Sequence, residues 1–140
     1  MTTPMTMPPW LEDMDPVIAQ QWADDLESGN YPQGNGRLRK RREDGSYEYC
    51  CLGVLHDQMV RAGLASWAFL DEDGNAVDIG SYELLPDATA EWAGCIHNPD
   101  VGPTDEGAWI TASEANDEYN WSFPQIARGI RGQEDAWDAD

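Results

Sequence analysis

Two of the three cysteines stand side by side, Cys50-Cys51, where a strand pattern gives way to a helix pattern. A thiol at a helix N-terminus feels the positive end of the dipole, which lowers its pKa and makes it a better nucleophile. A cysteine-dependent enzyme built on Cys51 would also need a base within reach. His56 lies five residues further along, about 140° around a helix of 3.6 residues per turn, which leaves His97 as the other histidine. The alternative is that both thiols pack as small hydrophobic groups. Cys50, Cys51, Cys95 and His97 have the donor types of a three-thiolate, one-imidazole zinc site, but adjacent cysteines and a Cys-x-His pair are not the usual ligand spacings. Asp71-Glu72-Asp73-Gly74-Asn75 looks like the start of a calcium loop, yet glycine falls at position 4 and Tyr82 at position 12, so it reads as a hairpin turn. No metal or cofactor is expected.

Gln33-Gly34-Asn35-Gly36-Arg37-Leu38-Arg39 is a glycine-rich loop running into cations. Free backbone amides at Gly34 and Gly36 can cradle an anion, and Arg37 and Arg39 can clamp it with paired N–H donors. The Lys-Ser/Thr ending of a phosphate-binding Walker loop is missing. The competing reading is a hairpin entry whose arginines balance nearby acids. Asn116-Asp117, between two short helices, can either contact a ligand or shape the turn.

Charge narrows the partners. The chain has 140 residues, 27 acidic against 8 basic, for a net charge of −19. Such a chain repels a phosphate backbone and an anionic bilayer, so direct nucleic-acid and membrane binding are not expected. Five of the eight bases fall within residues 37–42 (Arg37, Arg39, Lys40, Arg41, Arg42), and residues 43–140 carry 21 acids and three bases. Acidity on this scale suits either simple solubility or mimicry of a nucleic acid on a basic host protein. An odd cysteine count, no basic-then-apolar leader and no long apolar run point to a reducing cytoplasm. The sequon Asn120-Trp121-Ser122 is then chance.

Hydrophobic residues make up 41% of the chain and seven are tryptophan, enough for a single core. Asp15-Pro16 reads as an N-cap and first helical residue, with Ile18, Trp22 and Leu26 on one face and Gly29 as the stop, giving a helix over about 16–28. Segments 37–41 and 46–50 pair around Glu43-Asp44-Gly45-Ser46. Cys51–Gly63 has a helical face of Leu52, Leu55 and Met59. A second hairpin joins 67–70 to 77–79. Asp87 is the expected cap of a short helix through Trp92, and 94–107 is expected to be irregular. Thr111-x-x-Glu114 and Ser122-x-x-Gln125 are capping-box patterns that start helices over 112–118 and 123–131. Residues 1–13 are expected to be a flexible N-terminus and 132–140 a frayed acidic tail, with Trp10 and Trp137 the most exposed tryptophans. The result is an α+β class, one small domain over 14–131 with short helices on one or two β-hairpins.

Several of these stretches together resemble a group of small proteins encoded by tailed phages. Trp22-Ala23-Asp24-Asp25-Leu26-Glu27-Ser28-Gly29-Asn30-Tyr31, Gln33-Gly34 and Gly36-Arg37-Leu38-Arg39 are similar to the group's opening. Cys50-Cys51-Leu52-Gly53-Val54-Leu55 resembles its most recognisable string. Leu85-Pro86, Trp92-Ala93-Gly94, Asn116-Asp117, Ser122-Phe123 and Ile126-Ala127 resemble its second half, so the match covers about residues 20–131. The link Glu118-Tyr119-Asn120-Trp121 is longer and more acidic than the group's short glycine link, Cys95 and His97 lie outside its pattern, and the charge is more extreme.

The group carries no established activity. What the resemblance implies is that Gln33, Arg37, Arg39, Asn116 and Asp117 are its polar positions, a set without an acid/base pair or histidine that suits recognition of a polar ligand better than bond breaking. The expected function is therefore a non-enzymatic phage accessory protein in the host cytoplasm. It would bind a small anionic ligand or host factor, such as a nucleotide immune signal that it sequesters, through Gln33, Gly34, Gly36, Arg37, Arg39, Cys51, Asn116 and Asp117. The alternatives are an acidic mimic that occupies a basic host protein, and the thiol enzyme. A homodimer is compatible with the apolar faces but nothing specifies one.

Overall fold

Asp15 turns an extended segment into the first helix, α1 (Pro16–Glu27): its carboxylate accepts from the Val17 and Ile18 amides at 2.8 and 3.3 Å. Trp22 and Leu26 on its inner face are buried, and Trp22 Nε1 donates to the Cys51 carbonyl at 2.8 Å. The computed structural model describes residues 7–138.

Strands β1 (Arg39–Arg41) and β2 (Tyr47–Tyr49) form an antiparallel hairpin, with Arg39 opposite Tyr49 and Arg41 opposite Tyr47. Gly45 closes its turn at φ +90°, a conformation that costs a glycine little. The chain then enters α2 (Cys51–Arg61), followed by the hairpin of β3 (Ala68–Leu70) and β4 (Ala76–Asp78). In its turn Asp71 accepts from the Asp73 and Asn75 amides, both at 2.9 Å, so the acidic run is an Asx-type turn and not a calcium loop. Helix α3 (Asp87–Ala93) leads to β5 (Asp100–Pro103) and β6 (Trp109–Thr111), then α4 (Ala112–Asp117) and α5 (Phe123–Ile130). Both capping boxes form, at Thr111/Glu114 and Ser122/Gln125. Phe123, Ile126, Ala127 and Ile130 are all buried against the core.

The chain is thus a small α+β domain whose core gathers Trp22, Leu38, Leu52, Leu55, Val101, Ile126 and Ile130. Two close approaches set its geometry. A Cβ on Gly53 would lie 1.7 Å from the Leu38 carbonyl oxygen, and one on Gly129 would lie 1.9 Å from that of Val101. Glycine at these positions lets α2 press on the entry to β1, and α5 on β5.

Four expectations need correction. A third antiparallel hairpin forms, its strand β5 within residues 94–107 read as irregular and its strand β6 just beyond them. Gly102 and Pro103 look like breakers, but a register irregularity between Asp100 and Gly102 absorbs the glycine at φ +144°, and Pro103 falls at the strand end. The N-cap of α3 is Pro86, and no side chain caps that helix, so Asp87 is its first residue. Of the segment 1–13, residues 1–6 lie outside the described residues, whereas Trp10 and Leu11 are buried, with Trp10 Nε1 donating to the Gly129 carbonyl at 3.1 Å. Of the acidic tail 132–140, the described part folds back as a 3-10 turn (Ala136–Asp138), Ala136 is buried, and its carbonyl accepts from Gln125 Nε2 at 3.3 Å. Trp137 is exposed as expected, but Trp109 on β6 is more exposed.

Candidate functional site

The structure brings five of the sequence-selected residues together. The Gln33 side chain donates to Asn116 Oδ1 at 3.1 Å and to the Trp121 carbonyl at 2.8 Å, and accepts from the Phe123 amide at 3.2 Å. Asn116, buried, donates to the Gly34 carbonyl at 2.8 Å and to Asp117 Oδ1 at 2.7 Å. The same Asp117 oxygen accepts from the Gly36 amide at 3.1 Å, while the Gly34 amide donates to the Tyr49 carbonyl at 2.7 Å. Both loop amides offered as an anion cradle therefore have partners, and one of those partners is a carboxylate. Gln33, Gly34, Gly36, Asn116 and Asp117 form a pin that ties the loop to α4 and to the start of α5.

Cys51 does not join a ligand surface. It is fully buried and its thiol donates to the Ala112 carbonyl at 3.4 Å. Burial pushes the Cys50 thiol up to about 12 and that of Cys51 well above its ordinary value, with the nearby Asp117 charge adding to both. Desolvation thus outweighs the helix dipole, and of the two readings of the thiols the structure favours packing groups over an activated nucleophile. His56, also buried, has Nε2 bonded to the Ser66 carbonyl at 3.0 Å and Nδ1 to the Thr89 hydroxyl at 2.8 Å. A carbonyl only accepts, so Nε2 carries the proton; burial lowers the pKa and keeps the ring neutral. His97 is exposed and pairs with Asp87. Among the described residues no group of three or more His, Cys, Asp and Glu side chains is arranged to hold a metal ion.

The cations lie on the β1–β2 hairpin. The pairing register puts Arg39, Arg41, Tyr47 and Tyr49 on one face. The Arg39 guanidinium lies 3.9 Å from the Tyr47 ring centre and 4.3 Å from that of Trp67. Stacking on aromatic faces fixes the guanidinium and leaves its donors directed in its own plane. Among the described residues Arg42 pairs with Glu48 at 3.3 Å, whereas Arg37, Arg39, Lys40 and Arg41 have no carboxylate within salt-bridge distance. Arg37 is exposed and Arg39 half-buried. Tyr49, half-buried beside Arg39, has its pKa raised, first by desolvation and then by the Asp57 charge, with Arg39 opposing, so its hydroxyl stays protonated.

Sequence reasoning missed the aromatic partners. Tyr31 and Tyr49 meet edge to face at 5.0 Å, and Trp67 stands 6.0 Å from Tyr49. Asp57 anchors this group, accepting from the Tyr31 hydroxyl at 2.5 Å and Trp67 Nε1 at 2.9 Å. Arg61 pairs with both Asp25 and Asp57. The alternation Tyr47-Glu48-Tyr49 opposite Arg39-Lys40-Arg41 was the available signal; the arrival of Trp67 from beyond α2 had none.

No helix of the described residues is long and apolar enough to cross a membrane. Neither a curated protein nor a solved structure matches the chain. Residues 14–134 match the profile of DUF8296, a domain of unknown function, and that span is most of the chain. This stretch carries the loop pin, the basic hairpin and the aromatic group beneath it, and on that match the chain belongs to the DUF8296 family.

Proposed function

We propose that this chain is a non-enzymatic accessory protein of tailed phages that binds a small anionic ligand, with a nucleotide immune signal of the host as the specific version. The observation that carries the reading is the state of Arg39, stacked against Tyr47 and Trp67 and flanked by Arg37, Lys40 and Arg41, in a chain with 27 carboxylates. A prearranged guanidinium with in-plane donors matches the oxygens of a phosphate. Phage origin rests on the resemblance of the Cys50–Leu55 string and its flanking motifs. A binding role, rather than a catalytic one, is supported by the buried thiols and the neutral, doubly bonded His56.

The loop pin has a positioning role in this account. It holds residues 33–36 against α4, so that the chain leaves for β1 in a fixed direction. The ligand meets Arg39 and Arg37, not the Gly34 and Gly36 amides.

Calorimetric titration with ATP, a cyclic dinucleotide and inorganic pyrophosphate tests this. Saturable binding of at least one probe is expected. Arg39→Ala should weaken it by about tenfold or more, and Arg39→Lys should not restore it, because an ammonium lacks the planar fork. Unchanged affinity in both Arg37→Ala and Arg39→Ala, with the fold intact by circular dichroism, would sink the proposal.

A further inference from the structure

We infer that the cleft between the β3–β4 hairpin and the segment leading into α3 is a docking site for a basic, apolar segment of a partner protein. The cleft is wide open to solvent, offers about 610 Å³, and is lined chiefly by Phe69, Ile79, Tyr82, Leu84 and Leu85, with Glu83 and Asp87 as its charged residues. Its floor is Ile79 and Leu85, both buried, while Phe69 and Leu84 on its walls each remain 42% exposed. Two large apolar side chains left partly exposed in the lining of an open cleft are an anchor point for another chain.

The charges choose the occupant. Both charged side chains lining the cleft are carboxylates, Glu83 and Asp87, and among the described residues no cation lines it. Glu83 has no cationic partner among the described residues, and Asp87 is met only by the exposed His97. The β3–β4 turn adds Glu72 and Asp73, both exposed. A segment with large apolar side chains next to lysine or arginine satisfies both features. A second copy is the poorer occupant: with a net charge of −19, a symmetric pairing would set this acidic rim against its own image. The lining residues of this site are distinct from Arg39, and its ligand has the opposite sign.

The test is a titration of the full chain, ¹⁵N-labelled, with two synthetic peptides of alternating leucine pairs, one with lysine and one with glutamate between them. With the lysine peptide, amide shifts should concentrate at residues 69 and 79–87, and affinity should exceed that for the glutamate peptide by about tenfold or more. Leu84→Ser and Phe69→Ser should each weaken binding several-fold. Leu70→Ser, on the opposite face of β3, should leave it unchanged. Glu83→Gln should flatten the salt dependence. Shifts scattered over the acidic surface, or affinity indifferent to Leu84→Ser and Phe69→Ser, would overturn the inference. So would sedimentation showing a concentration-dependent dimer that Leu84→Ser abolishes, since the cleft would then belong to a second copy.

Discussion

The Gly36 amide donates to the Asp117 carboxylate at 3.1 Å, across 81 residues of sequence. That bond turns the glycine loop from an anion cradle into an anchored strap, because its donor faces an acid. Together with the Gln33–Asn116 bond it makes the loop and α4 one unit. Asn116 is buried, and its removal takes the side-chain donor from the Gly34 carbonyl and leaves the Gln33 amide only its Trp121 and Phe123 backbone partners. Asn116→Ala should therefore cost about 1–3 kcal/mol of stability. Urea unfolding measures this, and calorimetry on the folded variant should show anion affinity within about twofold of the parent.

Gly53 separates packing from recognition. A methyl group there meets the Leu38 carbonyl at 1.7 Å, and backbone cannot rotate aside as a side chain does. Gly53→Ala should cost about 3 kcal/mol or more, beyond the usual overpacking range. Gly36→Ala meets no atom within 4 Å and is penalised only by its φ of +81°, so its loss should be about 1 kcal/mol. Thermal unfolding of the two variants side by side gives the comparison.

The thiols should be slow to react. With Cys50 pushed up to about 12 by burial and Cys51 raised well above its ordinary value, native protein near neutral pH should resist iodoacetamide at both positions. Cys95, half-buried and raised to about 11, should label first. Peptide mapping after timed alkylation reads this directly; rapid modification of Cys51 in the folded state would restore the thiol-enzyme reading.

His56 gives a pH dependence of definite sign. Burial depresses its folded pKa below the ordinary 6.5, so the unfolded chain binds the proton more readily. Its contribution to stability is fully present above about 6.5 and is lost as pH falls from there through the lowered folded value. The urea midpoint of the parent should fall across that window more steeply than that of His56→Gln, and parallel curves would contradict the assignment.

The sequence made the helices legible because each carries a local signal. Asp15-Pro16, Thr111/Glu114 and Ser122/Gln125 mark starts through side-chain-to-amide bonds that span three residues or fewer. The β5–β6 hairpin was illegible because Gly102 and Pro103 break strands by propensity and only tertiary packing against Gly129 overrides them. The site was half legible. Gln33, Asn116 and Asp117 were singled out for contact with a polar ligand, and the structure brings them together, yet side-chain type alone does not show that they bond one another. Arg39 was selected for its charge, while its setting depends on Trp67, 28 residues away and brought in by α2. Between the two readings of Cys51 the sequence could not choose, because dipole and burial act in opposite directions and the depth of burial is a property of the whole core.

The most direct measurement is a titration of the arginine Nε–Hε resonances with inorganic pyrophosphate, Arg39 being assigned by its loss in Arg39→Lys. The account requires Arg39 to shift and saturate, accompanied by Arg37 or Arg41, while Arg61 and Arg131, both held by carboxylates, stay in place. A stationary Arg39 resonance, with the Gly36 amide moving instead, would contradict it and return the anion to the glycine loop.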